Sequence, residues 1–287
     1  MPEPGFTAAG TRWLPIHIRP GNDDRRDAVA AALIEAGVDG VQEMADGLVT
    51  YVEERTDLRA LERAVHQADP GATLTVSGPA LDADWAEQWA PRVGIQRVGS
   101  LVIAPPWLAD EAAGDAEPII IEPAMAFGTG EHATTRGVLR LMQRLVREGD
   151  TVADLGAGSA VLSIAAARLG ASRIAAIEMD ADAIGNAEEN VERNGVGDRV
   201  KVLHGDAAVL LPLVAPVRVL LANILSSVLV QLSPIMRESL APDGHAIVSG
   251  ILLREREDFL RAMVVEGWVV EDEDQEGEWW SARLSHR

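Results

Sequence analysis

No cysteine occurs in the 287-residue chain, so disulfides, thiolate metal sites and a cysteine nucleophile are excluded. Histidines and carboxylates do not cluster at metal-ligand spacing either, and no metal is expected. Basic side chains are scarce: 25 Lys and Arg stand against 45 Asp and Glu, a formal charge of -20. Such a field repels nucleic-acid phosphates and anionic lipid and draws in basic partners, so a basic protein suits it and direct nucleic-acid contact does not. The N-terminus lacks the basic-then-apolar order of a secretory signal. The one long apolar stretch, residues 207–232, is broken by Pro212, Pro216, Arg218 and Asn223, each costly in a membrane span. A cytoplasmic protein that does not enter the membrane is expected.

What is present is alternation. Residues 13–77 read as strand "WLPIHIR", a helix from about Asp23 to Ala36 stopped by Gly37, and strands "VDGVQE" and "LVTYVEE". Helix "DLRALERAVHQA", ended by Pro70 and Gly71, and strand "TLTVSG" follow, a split β-α-β pattern of ferredoxin-like type. Next, a short helical pattern carries Trp85 and Trp89 before Pro91. The expected division is a small α+β domain over 1–79, a linker helix over 80–95 and a larger α/β domain over 96–287. In the latter, strands "TVADLG", "RIAAIEMD", "RVKVLHGD", "VRVLLAN" and "HAIVSG" alternate with helical patterns, which indicates a parallel sheet covered on both faces. The tail "GWVVEDEDQEGEWWSARL" reads as two antiparallel strands joined by an acidic turn, with Trp279 and Trp280 on opposite faces.

One stretch concentrates the chemistry. In "VADLGAGSAVLSIAAARLGASRIAAIEMD" a strand carries Asp154, the turn Gly156-Ala157-Gly158 opens a helix, and Glu178 lies at the end of the next strand. Glycines at such a turn let a ligand approach the backbone, and a carboxylate ending the second strand accepts ribose hydroxyls. This pattern describes a nucleoside-cofactor site. A dinucleotide fingerprint needs Gly or Ala where Val161 stands, which disfavours NAD. The loop "AFGTGEHATT", residues 126–135, has Thr134 where a phosphate-binding loop requires lysine, so the ATP reading fails.

The D-x-G-x-G pattern resembles the first motif of class I S-adenosylmethionine-dependent methyltransferases, whose seven-stranded, Rossmann-like sheet closes with an antiparallel last strand. More narrowly, "AFGTGEHATT", "DLGAGSAVLSIAAARLGA", "NAEENVERNGV", "LLANILSSVL" and "VSGIL" are similar, in order and spacing, to the ribosomal protein L11 methyltransferases, the PrmA family. The segment "DWAEQWAPRVGIQRVGSLVIAPPW" extends the likeness upstream. The resemblance implies S-adenosyl-L-methionine as cofactor, ribosomal protein L11 as a basic protein substrate, and lysine or N-terminal amines as acceptors. It also implies that the N-terminal domain presents the substrate. Carried over by motif, the cofactor contacts are Thr135, Gly156, Glu178 and Asn223, with Gly158 and Asp154 from the same turn. Phe127 would cover the cofactor, and Asp206 would reach the adenine amino group. Asn223 is the catalytic candidate, its amide oxygen holding the acceptor amine. Three departures stand out: Ala160 replaces a glycine usual in the family, Glu178 replaces Asp, and Glu131 and Ala133 flank His132 where Thr and Pro are more frequent.

Quieter roles are open to several of these residues. Asn223 can simply terminate its strand, His132 can act as a base or brace its loop, Asp206 can sit in a solvated turn, and Phe127 can plug the core. The competing functions are a related methyltransferase acting on another protein lysine or a small amine, and a non-catalytic cofactor binder.

Overall fold

The computed structural model describes residues 13–22, 25–38, 41–44, 47–53, 56–76, 93–114, 117–123 and 130–286. Phe127, and Trp85 and Trp89 of the expected linker helix, lie outside the described residues. The chain divides into two compact units, Met1–Ala90 and Pro91–Arg287.

In the first unit, β1 (Trp13–Arg19), α1 (Arg26–Glu35), β2 (Gln42–Met44), β3 (Gly47–Glu53), α2 (Leu58–Ala68) and β4 (Thr73–Val76) follow in sequence. The sheet order is β2-β3-β1-β4, and every pairing in it is antiparallel, as a split β-α-β unit requires. Helix α2 starts where the Asp57 carboxylate accepts the amides of Arg59 and Ala60, the usual remedy for orphaned N-terminal donors. Alternation along β1 sends Ile16 and Ile18 inward to Val29, Leu33, Leu48, Leu61 and Val65, which close this unit's core.

The second unit opens with a small sheet of β5 (Gln96–Val98), β6 (Leu101–Ala104) and β7 (Ile119–Ile120), with the short helix α3 (Ala109–Ala112) between the last two. Helix α4 (Ala133–Met142) leads into β8 (Thr151–Leu155), α5 (Val161–Arg168), β9 (Arg173–Glu178), α6 (Ala181–Arg193), β10 (Val200–His204) and α7 (Ala207–Val214). Then come β11 (Val217–Asn223), α8 (Ser226–Ser239), β12 (Leu240–Leu252), α9 (Arg256–Val265), β13 (Trp268–Glu276) and β14 (Trp279–His286). The seven-stranded sheet has the order β10-β9-β8-β11-β12-β14-β13. Five strands are parallel, and β14 runs antiparallel to both neighbours. One face packs Val138, Leu139, Met142, Ile164 and Val191; the other packs Leu229, Met236, Phe259, Met263 and Trp280. Strand order reverses between β8 and β11, and such a switch point opens a crevice at the carboxyl ends of the strands. The apolar stretch 207–232 folds as α7, β11 and the start of α8, and among the described residues no helix is long and apolar enough to cross a membrane.

The expected acidic turn is corrected. Residues 271–276 lie inside β13, the last strand of the sheet, and only Gly277 and Glu278 make the turn. A run of like charges usually marks a solvated loop, but here the acids are partnered. Arg144 pairs with Asp272 at 3.3 Å and Arg140 with Asp274 at 2.6 Å, while Arg136 and Arg140 share Glu276. On the opposite face Arg256 pairs with Glu273 at 2.8 Å, and the Ser285 hydroxyl donates to Glu271 at 2.6 Å. Arginines four residues apart on α4 and the turn that follows it thus meet acids two apart on β13, because one helical turn and two strand residues advance by similar distances. The two arginines hold the Glu276 carboxyl down at about 2.

Candidate active site

Glycine 156 takes a left-handed conformation, φ +70°, and a Cβ there would lie 2.6 Å from Cγ2 of Ile224. The amides of Gly156 and Ala157 donate to the Ile177 carbonyl at 2.9 and 3.1 Å, tying the turn to β9. The Gly158 amide donates to Glu178 Oε2 at 2.8 Å, and those of Met179 and Asp180 donate to Oε1 at 2.8 and 2.9 Å. A carboxylate offers about four acceptor positions; with three taken by backbone amides, Glu178 organises the turn, and a fourth position suits the hydroxyl expected of it. Glu178→Ala removes both functions, and each charge-assisted hydrogen bond is worth about 1.5–3 kcal/mol. Calorimetry is therefore expected to show S-adenosylhomocysteine affinity lower by about tenfold or more; an unchanged affinity would overturn the assignment of this crevice.

Asn223 ends β11, and its Nδ2 donates to Thr135 Oγ1 at 3.3 Å, joining two predicted residues from distant parts of the chain. Thr135 is buried in the first turn of α4. His132 is the N-cap of that helix: its Nδ1 lies 2.7 Å from Thr134 Oγ1 and accepts from the Thr134 amide at 3.4 Å. Its ring also packs edge-on against Trp279, 5.0 Å between centroids. Burial, then the Arg136 charge, pulls the His132 pKa below its ordinary value. Of its two predicted roles, the bracing one is what the geometry serves. Asp206 is exposed and caps α7, accepting the Ala208 amide at 2.8 Å.

Two residues behind the site were missed. Ile224 is flanked by two left-handed glycines, Gly156 and Gly250, and a Cβ on Gly250 would come within 2.9 Å of the Ile224 carbonyl carbon. "VSGIL" carried that signal, since a lone glycine inside a strand pattern marks close backbone approach. Gly137 does the same for α4, where a Cβ would meet the Ser281 side chain, with Cβ of Ser281 3.1 Å away.

Asp154 is fully buried. Its Oδ2 accepts from the Ser163 hydroxyl at 2.7 Å, and its Oδ1 has no partner among the described residues. Burial, reinforced by the Glu178 charge and opposed by Ser163, pushes its pKa up to about 7. The folded chain therefore holds a proton that the unfolded chain has released between about pH 4 and 7. Stability accordingly falls as pH rises through that window, by at most about 4 kcal/mol, and levels off above it. Asp154→Asn removes this titration, so its melting temperature relative to wild type is expected to climb between pH 4 and 8. A difference independent of pH would contradict the shift.

The model for the family described as "Ribosomal protein L11 methyltransferase (PrmA)" matches residues 21–287. The chain belongs to the ribosomal protein L11 methyltransferase family. It is 36% identical over 247 residues to a ribosomal protein L11 methyltransferase of Pelotomaculum thermopropionicum, covering 85% of this chain and 79% of the relative. With the corresponding protein of Thermus thermophilus it shares 40% over 199 residues, 69% of this chain and 76% of that one. In three dimensions it resembles a ribosomal protein L11 methylase from Lactobacillus delbrueckii subsp. bulgaricus, with a TM-score of 0.59 and 28% identity over 67% of this chain and 98% of the other.

As a member of this family the chain is an S-adenosylmethionine-dependent protein methyltransferase. The residues present fit that cofactor: beside the glycine turn a buried carboxylate oxygen of Asp154 is without a partner among the described residues, and a second carboxylate, Glu178, stands at the end of β9. A buried acceptor in the turn and a carboxylate at the end of the next strand suit a cofactor that brings amine and hydroxyl hydrogens to them. Among the described residues no group of three or more His, Asp or Glu is placed to hold a metal ion.

Proposed function

We infer that this chain methylates amino groups of ribosomal protein L11, and that Asn223 aligns the accepting amine. The observation that carries the reading is the Asn223–Thr135 hydrogen bond, which fixes an amide at the carboxyl end of β11, one residue before the Ile224 that packs against the glycine turn. Asp154, Gly156, Gly158 and Glu178 line the cofactor side, with Thr135 bracing from α4. When bound, S-adenosylmethionine supplies an electrophilic methyl group on sulfur. In-line displacement then needs an uncharged amine held in alignment more than it needs a strong base. With its Nδ2 donating to Thr135, the Asn223 amide presents its oxygen as the acceptor for an amine hydrogen, leaving the nitrogen lone pair free to attack. A desolvated site lowers an ammonium pKa and favours loss of its proton before transfer. The acceptors are lysine side chains and the N-terminal amine of the substrate, whose basic surface the -20 charge attracts, and the N-terminal unit holds it.

The test is the intact mass of ribosomal protein L11 after incubation with enzyme and S-adenosylmethionine. Increments of one methyl group are expected, mapping to amines on digestion. An unaltered L11, with label from tritiated cofactor entering another protein in cell extract, would replace the substrate.

A further inference from the structure

Asn186, Asn190 and Asn194 stand four residues apart along α6 and its C-cap. Asn194 receives the Ile120 amide at 2.9 Å and donates to the Ile120 carbonyl at 2.7 Å. Asn190 receives the Glu122 amide at 2.8 Å, and Asn186 donates to the Glu122 carbonyl at 3.1 Å. The other edge of this segment pairs with β6. Four helical residues rise about 6 Å and two strand residues about 6.6 Å, so side-chain amides on the helix match the backbone of residues 120 and 122 as a neighbouring strand would.

Asn190 does one thing the others do not. Completely buried, it also donates to the Ser159 carbonyl at 3.2 Å. That carbonyl belongs to the peptide linking Ser159 to Ala160, the one described non-glycine residue with positive φ, at φ 64° and ψ 18°. A left-handed alanine costs roughly 1–2 kcal/mol, and rotating the Ser159–Ala160 peptide would relieve it. Relief would redirect the start of α5 and the adjoining Gly158 amide, which Glu178 holds.

We propose that Asn190 is a positioning residue for the cofactor turn: by holding the Ser159 carbonyl it keeps Ala160 left-handed and couples the turn to the segment at residues 120–122. It contacts no reacting atom, and the inference rests on the reading that the glycine turn binds the cofactor. This chain needs such a brace because it carries alanine at a position where glycine would sit without strain.

The test compares Asn190→Ala, Asn194→Ala, Ala160→Gly and the double variant Asn190→Ala/Ala160→Gly in the full chain. S-adenosylhomocysteine is the calorimetric probe, and melting temperature is followed in parallel. Asn190→Ala is expected to raise the dissociation constant about tenfold. Asn194→Ala loses the clamp on Ile120 and a bond to the Asn190 carbonyl but no contact with Ser159, and is expected to lower the melting temperature while leaving the constant within about twofold. Because glycine needs no brace, Ala160→Gly is expected to leave the constant near wild type and, in the double variant, to restore it to within about threefold. If Asn190→Ala does not yield folded protein, Asn190→Ser in both backgrounds is read in the same way. Equal effects of the Asn190 and Asn194 variants, or no rescue by Ala160→Gly, would overturn the proposal. Glu178→Ala separates the two layers: unchanged affinity there removes the crevice itself, whereas weakened affinity with an inert Asn190 variant removes only this inference.

Discussion

Asn223→Ala is expected to slow methyl transfer on the order of a hundredfold while leaving cofactor affinity within a few fold. The substitution removes the amide that orients the amine and breaks the hydrogen bond to Thr135, and misalignment of an attacking atom by about 1 Å costs roughly that much rate. Single-turnover kinetics on ribosomal protein L11 at saturating cofactor, with calorimetry alongside, measure the two quantities separately. A large rise in the cofactor dissociation constant with an unchanged single-turnover rate would make Asn223 a cofactor ligand and leave the amine without its partner. Asn223→Asp sharpens the comparison, because it keeps an acceptor oxygen and forfeits the donor to Thr135.

Gly250→Ala is expected to damage stability and catalysis together. Its backbone is left-handed at φ +84°, and the added methyl would strike the main chain of Ile224. The conformation costs about 1–2 kcal/mol and the overlap about 1–3 more, which lowers the melting temperature by very roughly 5–15 °C in a unit of this size. Gly195 is the control, with φ +63° and nothing among the described residues within 4 Å of an added Cβ. Gly195→Ala pays the conformational cost alone, so the excess loss in Gly250→Ala measures the collision. Since Ile224 directly follows Asn223, the same variant is expected to lose turnover as well. Equal melting temperatures for the two variants would mean that Ile224 yields readily and that the Asn223 loop is not held in place by its glycines.

Much of the fold was legible because periodicity carries it. Strand "VRVLLAN" reads directly as β11, Val217–Asn223, and "WLPIHIR" as β1, Trp13–Arg19, since apolar runs bounded by breakers leave few alternatives. The acidic run at 271–276 was not legible as strand: its partners Arg136, Arg140 and Arg144 come from a helix and the turn after it, far away in sequence, and local charge density says nothing about distant cations. Within the candidate site, spacing was enough to group Asp154, Gly156, Gly158 and Glu178, because one turn and the strands on either side of it hold them. The meeting of Thr135 with Asn223 was carried by resemblance alone; Gly250 left a local trace, a lone glycine in a strand pattern, whereas the contribution of Asn190 depends on an approach to the Ser159 carbonyl that no local pattern records. Strain at Ala160 was hidden for a similar reason: sequence showed a missing glycine, and only the backbone showed that its conformation had been kept.

The acids of β13 also determine where the sheet stops. An edge strand offers unpaired amides and carbonyls to any other extended chain, and β13 is such an edge. A second copy docking there would bring carboxylates at 271, 272, 273, 274 and 276 against its own, while the arginines paired with the last four are already engaged from within. The chain's concentration of negative charge is thereby placed to discourage open-ended assembly, keeping this end of the sheet from becoming a template for aggregation.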